Sequence, residues 1–310
     1  GAIMPSGLDT VVPQELCQVD GATVRVPAGV LKPGDNRRLL GEDLMQGQAA
    51  LRQGTLLTPA ALGLIASLGL PTVPVYRRLK VAYFSTGDEI LTLGETPREG
   101  AVFDSNRYTV FGLLTRLGCE VIDLGVVPDQ PERLQAAFLD AAQRADAVIT
   151  SGGVSVGEAD YTKAMMKQLG DVAFWKIAMR PGRPMAVGRI APSGTVLFGL
   201  PGNPVAVMVT FLAFVRPALQ RMMGGQPTPA PQVRARSSNA IRKKPGRTEY
   251  QRGVVSNAAD GSLQVSTTGN QGSGVLSSMA QANALIVLRH EQGDVAADDL
   301  VDVLLFDGLI

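Results

Sequence analysis

Residues 80–89 read KVAYFSTGDE and residues 147–155 read AVITSGGVS. In each, a short apolar run stops abruptly at hydroxylated residues and glycine. A strand buried on both faces of a sheet hands over to a close-fitting loop in this way. Working outward, the pattern predicts a first strand over 80–85, a helix over 106–117, a strand over 120–124 and a helix over 130–144. A strand over 147–150 and a helix over 161–169 follow. Strands alternating with amphipathic helices imply a mainly parallel sheet covered on both faces, whose ligands lie beyond the carboxyl ends of the strands. A third loop, GLPGNP at residues 199–204, should share that edge.

The flanking segments differ in texture. Residues 1–46 are rich in Gly, Pro and short β-branched runs, and read as the remnant of a β-rich domain that does not fold alone. Residues 47–78 read as a helical connector, with Thr58 capping a helix that begins at Pro59 and ends near Gly69. The α/β domain spans 79–228 and closes with a buried helix over 205–223. A Gly- and Pro-dense linker at 224–231 leads to a small β barrel or sandwich over 229–310.

Charge narrows the function. With 29 basic against 28 acidic residues, no overall field holds nucleic acid or an anionic membrane, so any anion must be bound locally. Cys17 and Cys119 belong to no metal or disulfide pattern and read as reduced packing residues. The single histidine, His290, follows an apolar run and reads as a strand end. No apolar stretch reaches the roughly 20 residues that span a bilayer, and a cytoplasmic protein is expected. The first residue is Gly1, and the chain reads as lacking a preceding segment.

Candidate chemistry gathers in the loops. The turn Ser151, Gly152, Gly153 and Ser155 suits an anion cradle as well as an ordinary strand-to-helix turn, and it matches neither a Walker loop nor GxGxxG. Glu89, Asp129 and Asp160 stand at successive strand-to-helix junctions, where they could hold magnesium against a phosphate or cap helices. Lys176, Arg180 and Arg183 form a basic group stiffened by Pro181 and Pro184, suited to an oxyanion or to a solvated face. Arg37, Arg38, Glu42 and Asp43 read as surface ion pairs.

Taken together, Phe84–Glu89, Asp104–Arg107, Ser151–Thr162, Arg180–Pro184 and Gly199–Pro204 resemble, in order, the blocks of the MoeA-type molybdopterin molybdenumtransferases and the homologous domain of gephyrin. The resemblance covers nearly the whole chain. It implies a three-layer α/β domain followed by a β barrel, and a reaction that inserts molybdenum from molybdate into adenylylated molybdopterin with magnesium assisting and AMP released. Glu89, Asp129 and Asp160 would be the acidic, metal-holding residues, and Lys176 and Arg180 the basic ones. Thr86, Gly87, Asp88, Ser151, Gly152, Gly153, Ser155, Arg183, Pro201, Pro204 and Ser273 would line the substrate site. Arg38 and Asp43 would approach across a homodimer interface, and an adenylyltransferase of the same pathway would be the upstream partner. Arg180 stands where relatives often carry lysine. The family's upstream segment, with an Asp in a motif like DNSAMDGYA and a Thr just before the opening Gly-Ala, is not in this chain. The alternative is therefore a pterin-binding or scaffold module without turnover.

Overall fold

The computed structural model describes residues 1–309 apart from 155–160 and 228. The chain divides into two compact units, Gly1–Pro71 and Thr72–Ile310. In the first, β1 (Gln18–Asp20) and β2 (Thr23–Arg25) form a hairpin with Gln18 opposite Arg25. The helix α1 (Pro59–Ser67) starts with proline in its first turn, and the Thr58 hydroxyl accepts from the Ala61 amide at 3.3 Å. Among the described residues this unit gathers no buried apolar cluster of its own.

The second unit opens with β3 (Lys80–Thr86), the short pair β4 (Ile90–Leu91) and β5 (Val102–Phe103), and α2 (Ser105–Arg116). Then come β6 (Glu120–Val127), α3 (Pro131–Arg144), β7 (Ala147–Ser151) and α4 (Tyr161–Leu169). They lead to β8 (Gly170–Lys176), β9 (Met179–Arg180), β10 (Pro184–Ile190) and β11 (Thr195–Leu200). The six-stranded sheet runs β6-β3-β7-β11-β10-β8. It is parallel except for β10, which folds back antiparallel between β11 and β8. Nearly every residue of β3 and all of β7 are buried, because helices cover both faces. On one face Tyr83, Ile149 and Phe198 pack with Val110 and Leu114 of α2. On the other, Phe84 and Val148 meet Leu134 and Phe138 of α3, the two phenyl rings edge to face at 5.0 Å. Residues 134, 138, 141 and 142 of α3 are all buried, the stripe expected of an amphipathic helix.

The buried helix expected over 205–223 is interrupted. Between α5 (Pro204–Thr210) and α6 (Arg216–Met222), residues Phe211–Val215 widen into a π turn. Pro217 has no amide hydrogen to give the Ala213 carbonyl, and a local widening absorbs the missing bond. By length and composition the whole segment Pro204–Met222 could cross a membrane, but Val207, Phe211, Val215 and Leu219 belong to the sheet's core.

The last part is a barrel. Strands β12 (Gln232–Ser237), β13 (Thr248–Asn257) and β14 (Leu263–Thr267) are followed by α7 (Ser277–Gln281), β15 (Ala284–Leu288) and β16 (Leu300–Leu305). The order β14-β12-β16-β15-β13 closes through a β13–β14 pairing, giving five strands around Ala235, Val265, Ile286 and Val303. The two-residue strand β9, which belongs in sequence to the α/β domain, pairs with the start of β13, Arg180 opposite Glu249. Met179, Val205, Val209, Met279 and Leu285 seal the seam between sheet and barrel.

Candidate active site

The loops after β3, β7 and β11 lie side by side at the carboxyl edge of three adjacent parallel strands. Gly152 and Gly153 have φ of +94° and +64°, where glycine is favoured. A Cβ on Gly152 would overlap the Thr86 carbonyl oxygen, and one on Gly153 would overlap the Thr162 side chain. The backbone is thus pressed flat against its neighbours, and the Gly152 amide donates to the Leu200 carbonyl at 3.2 Å. Beneath the turn, the Tyr83 hydroxyl bonds to Ser85 Oγ at 2.8 Å and Ser151 Oγ at 2.7 Å. Burial raises the proton affinity of that phenol, so it stays neutral and serves as a strut. The Thr86 hydroxyl is buried without a partner among the described residues.

An acidic group stands beside β3. Asp88 and Glu89 are exposed in the turn after the strand, and Asp129 follows β6 in a half-buried position. Neither Glu89 nor Asp129 caps a helix. The cap of α2 is Asp104, which accepts from the Arg107 amide at 3.0 Å, and the residue before α3 is Gln130. Asp129 instead accepts from the Thr162 hydroxyl at 3.2 Å. Burial, opposed by that hydrogen bond and joined by the charges of Asp88 and Glu89, raises the Asp129 pKa. The Arg98 guanidinium donates to the Asp88 carbonyl. Among the described residues no three ligand side chains gather closely enough to hold a metal alone. Magnesium commonly sits on one or two carboxylates with phosphate oxygens and water completing its shell, and the oxygen-only set of Glu89 and Asp129 fits that mode.

A basic group stands at the opposite end. Lys176 ends β8, Arg180 ends β9 and Arg183 lies in the loop that returns to β10, all three exposed. Gly182, at φ +97°, packs against Thr210 of α5. From the barrel comes Arg252, 1% exposed, a residue the sequence patterns passed over because it lies inside a strand. Its guanidinium donates to Ser278 Oγ at 2.9 Å and to the Asn270 and Gly272 carbonyls at 3.2 and 2.9 Å. No carboxylate pairs with it among the described residues, and burial, with the charge of Arg180, pushes its pKa down to about 10. The loop it orders carries Ser273, whose carbonyl accepts from the Val205 amide at 3.0 Å and so docks on the Pro201–Pro204 turn.

The edge therefore presents carboxylates at β3, hydroxyls and glycines at β7 and β11, and cations beyond β8. The ends are four strand spacings apart, roughly 20 Å. The expected residues Thr86 to Glu89, Asp129, Ser151 to Gly153, Lys176, Arg180, Arg183, Pro201, Pro204 and Ser273 all lie along it. Ser155 and Asp160 fall outside the described residues. Arg38 and Asp43 belong to the other compact unit, where Arg38 pairs with Glu42 at 2.6 Å. His290 follows β15 in the barrel, 3.7 Å from Glu291.

Three family profiles match successive parts of the chain: "MoeA N-terminal region (domain I and II)" over residues 1–69, "Probable molybdopterin binding domain" over 82–221 and "MoeA C-terminal region (domain IV)" over 234–306. The molybdopterin molybdenumtransferase of Haemophilus influenzae is 42% identical over 311 residues, covering 100% of this chain and 76% of that protein. The chain belongs to the MoeA-type molybdopterin molybdenumtransferases. It is an enzyme of molybdenum-cofactor biosynthesis. Gephyrin of Dictyostelium discoideum is 32% identical, covering 98% of this chain and 47% of that protein. The solved MoeA protein of Pyrococcus horikoshii superposes with a TM-score of 0.79 at 28% identity, covering 98% of this chain and 73% of that one. The α/β sheet and closed barrel are therefore those of a MoeA protein.

Proposed function

We propose that this molybdenumtransferase takes adenylylated molybdopterin and molybdate, inserts the metal into the dithiolene and releases AMP with magnesium assisting. The observation that carries the reading is the order of groups along the carboxyl edge, acid, then hydroxyl and glycine, then cation. An extended nucleotide with a diphosphate bridge matches that spacing. Its phosphates would lie toward Glu89 and Asp129, joined by Asp160 on the strength of the resemblance. Magnesium bound to those carboxylates would neutralise the bridging phosphate oxygens as charge builds on departing AMP. Thr86, Gly87, Asp88 and the turn at Ser151, Gly152, Gly153 and Ser155 would hold the middle of the ligand through short side chains and backbone amides.

At the other end Lys176, Arg180 and Arg183, with the buried Arg252 and the loop of Ser273, would hold the molybdate dianion in place for transfer. Pro201 and Pro204 would keep the adjoining turn rigid. Arg38 and Asp43 would reach this edge from a second subunit of a homodimer. The protein would work in the cytoplasm, after the enzyme that adenylylates the pterin.

The test is AMP release by the purified chain given adenylylated molybdopterin, molybdate and magnesium. Release that requires molybdate and is lost in Glu89→Gln supports the proposal. Tight pterin binding without release would instead establish the scaffold reading, and failure to bind the pterin would overturn both.

A further inference from the structure

Asn106 has no place in the scheme above, yet it touches two of the loops that form it. It lies in the first turn of α2 and is 8% exposed. Its Nδ2 donates to the Gly202 carbonyl at 2.7 Å and reaches Ser151 Oγ at 3.5 Å. Gly202 sits in the Pro201–Pro204 turn, and a Cβ on it would come within 3.9 Å of the Gly152 Cα. One amide thus lies between the turn after β7 and the turn after β11, and through Ser151 it joins the Tyr83 and Ser85 hydroxyls under β3. The amide's orientation is set by its partner: turned over, it would put Oδ1 against the Gly202 carbonyl, oxygen to oxygen. In the observed orientation Oδ1 is buried without a partner among the described residues. The side chain is held for its donor alone.

We infer that Asn106 is a positioning residue for the pterin substrate, the crosspiece that fixes the spacing between the Gly152–Gly153 turn and the Pro201–Pro204 turn. This rests on the reading that the pterin nucleotide lies along that edge. Among the described residues Asn106 bonds to neither the acidic nor the basic group, so its loss acts on pterin affinity and leaves molybdate affinity alone.

Asn106→Asp keeps the size but cannot donate to Gly202, and an acidic residue in a helix's first turn is favourable there. Asn106→Ser keeps a residue suited to the start of a helix but is too short to bridge. Both would be compared with wild type for KM of adenylylated molybdopterin, KM of molybdate, thermal midpoint, and pterin binding followed by the emission of Trp175. Trp175 is the chain's single tryptophan and is 60% exposed at the end of β8. The expected result is an increase of about tenfold in pterin KM and Kd, the scale of one lost hydrogen bond, with molybdate KM near wild type and the midpoint lower by about 2–4 °C, as the same lost bond implies for the fold. In a Ser151→Ala background the Asn106→Asp effect should be smaller than in wild type, because the two share one network. Unchanged pterin KM in both variants overturns the inference, as does a loss that strikes pterin, molybdate and midpoint alike. A wild-type chain that binds no pterin overturns the functional reading and this inference with it; binding by wild type and variants alike overturns the inference only.

Discussion

Arg252, buried in a barrel strand without an acidic partner among the described residues, feels the charge of Arg180, which lies on the two-residue strand paired to the start of β13. Two like charges held near each other, one of them dehydrated, store an attraction for an anion. Molybdate, tungstate or sulfate should therefore raise the melting temperature. At a hundredfold excess over Kd the gain is about 2.7 kcal/mol, several degrees for a protein of this size. Arg252→Met gives up the hydrogen bonds to Ser278 and to the Asn270 and Gly272 carbonyls, so it should melt below wild type without the anion and lose the anion's effect; an equal anion shift in that variant would sink the idea.

The acidic end makes the converse prediction. The Asp129 pKa is raised in the fold by burial and by Asp88 and Glu89. The folded state thus holds this proton more tightly than the unfolded state does. The stability it gives is present below the unfolded pKa and lost as pH rises through the folded pKa. At neutral pH without metal, Asp129→Asn should therefore melt slightly higher than wild type while abolishing metal-dependent AMP release. A lower melting temperature at pH 7 in the variant, with activity intact, would contradict both parts.

Gly152→Ala combines a disfavoured φ with overlap against a backbone carbonyl that cannot swing away. A loss of roughly 2–4 kcal/mol is expected, or a displaced turn with pterin binding gone. Gly63→Ala, in the exposed helix α1 with open space around it, is the control and should stabilise by up to about 1 kcal/mol. Denaturant melts of both variants decide it.

The cysteines should react unequally. Cys119 is buried and its thiol is pushed up to about 11, whereas Cys17 is half-buried in a loop. One thiol per chain should label quickly in native buffer and the second only in denaturant. Rapid labelling of two would show that the sheet's core opens at this point.

Much of the α/β architecture is legible along the chain because each element carries its own signal. Strand β3 is apolar from Val81 to Phe84, α3 shows a stripe at 134, 138, 141 and 142, and α2 begins at a capping aspartate. The glycines of the SGG turn mark a tight turn, and both have positive φ in the fold. Other features depend on partners distant in sequence. The reversal of β10 follows from pairing on both sides, and the π turn answers a proline at 217. Arg252 looks like an ordinary outward residue of an alternating strand until the 270–273 loop folds over it. Asn106 lies within a recognisable block, but its reach to Gly202, 96 positions on, belongs to the folded chain alone.

The pairing of β9 with β13 also bears on how the molecule comes apart. A fragment cut in the linker before β12 would leave the barrel with the start of β13 lacking a neighbour and Met179 pulled from the seam. The sheet and barrel should consequently share one cooperative calorimetric transition instead of two, and neither half expressed separately should reach the melting point of the whole.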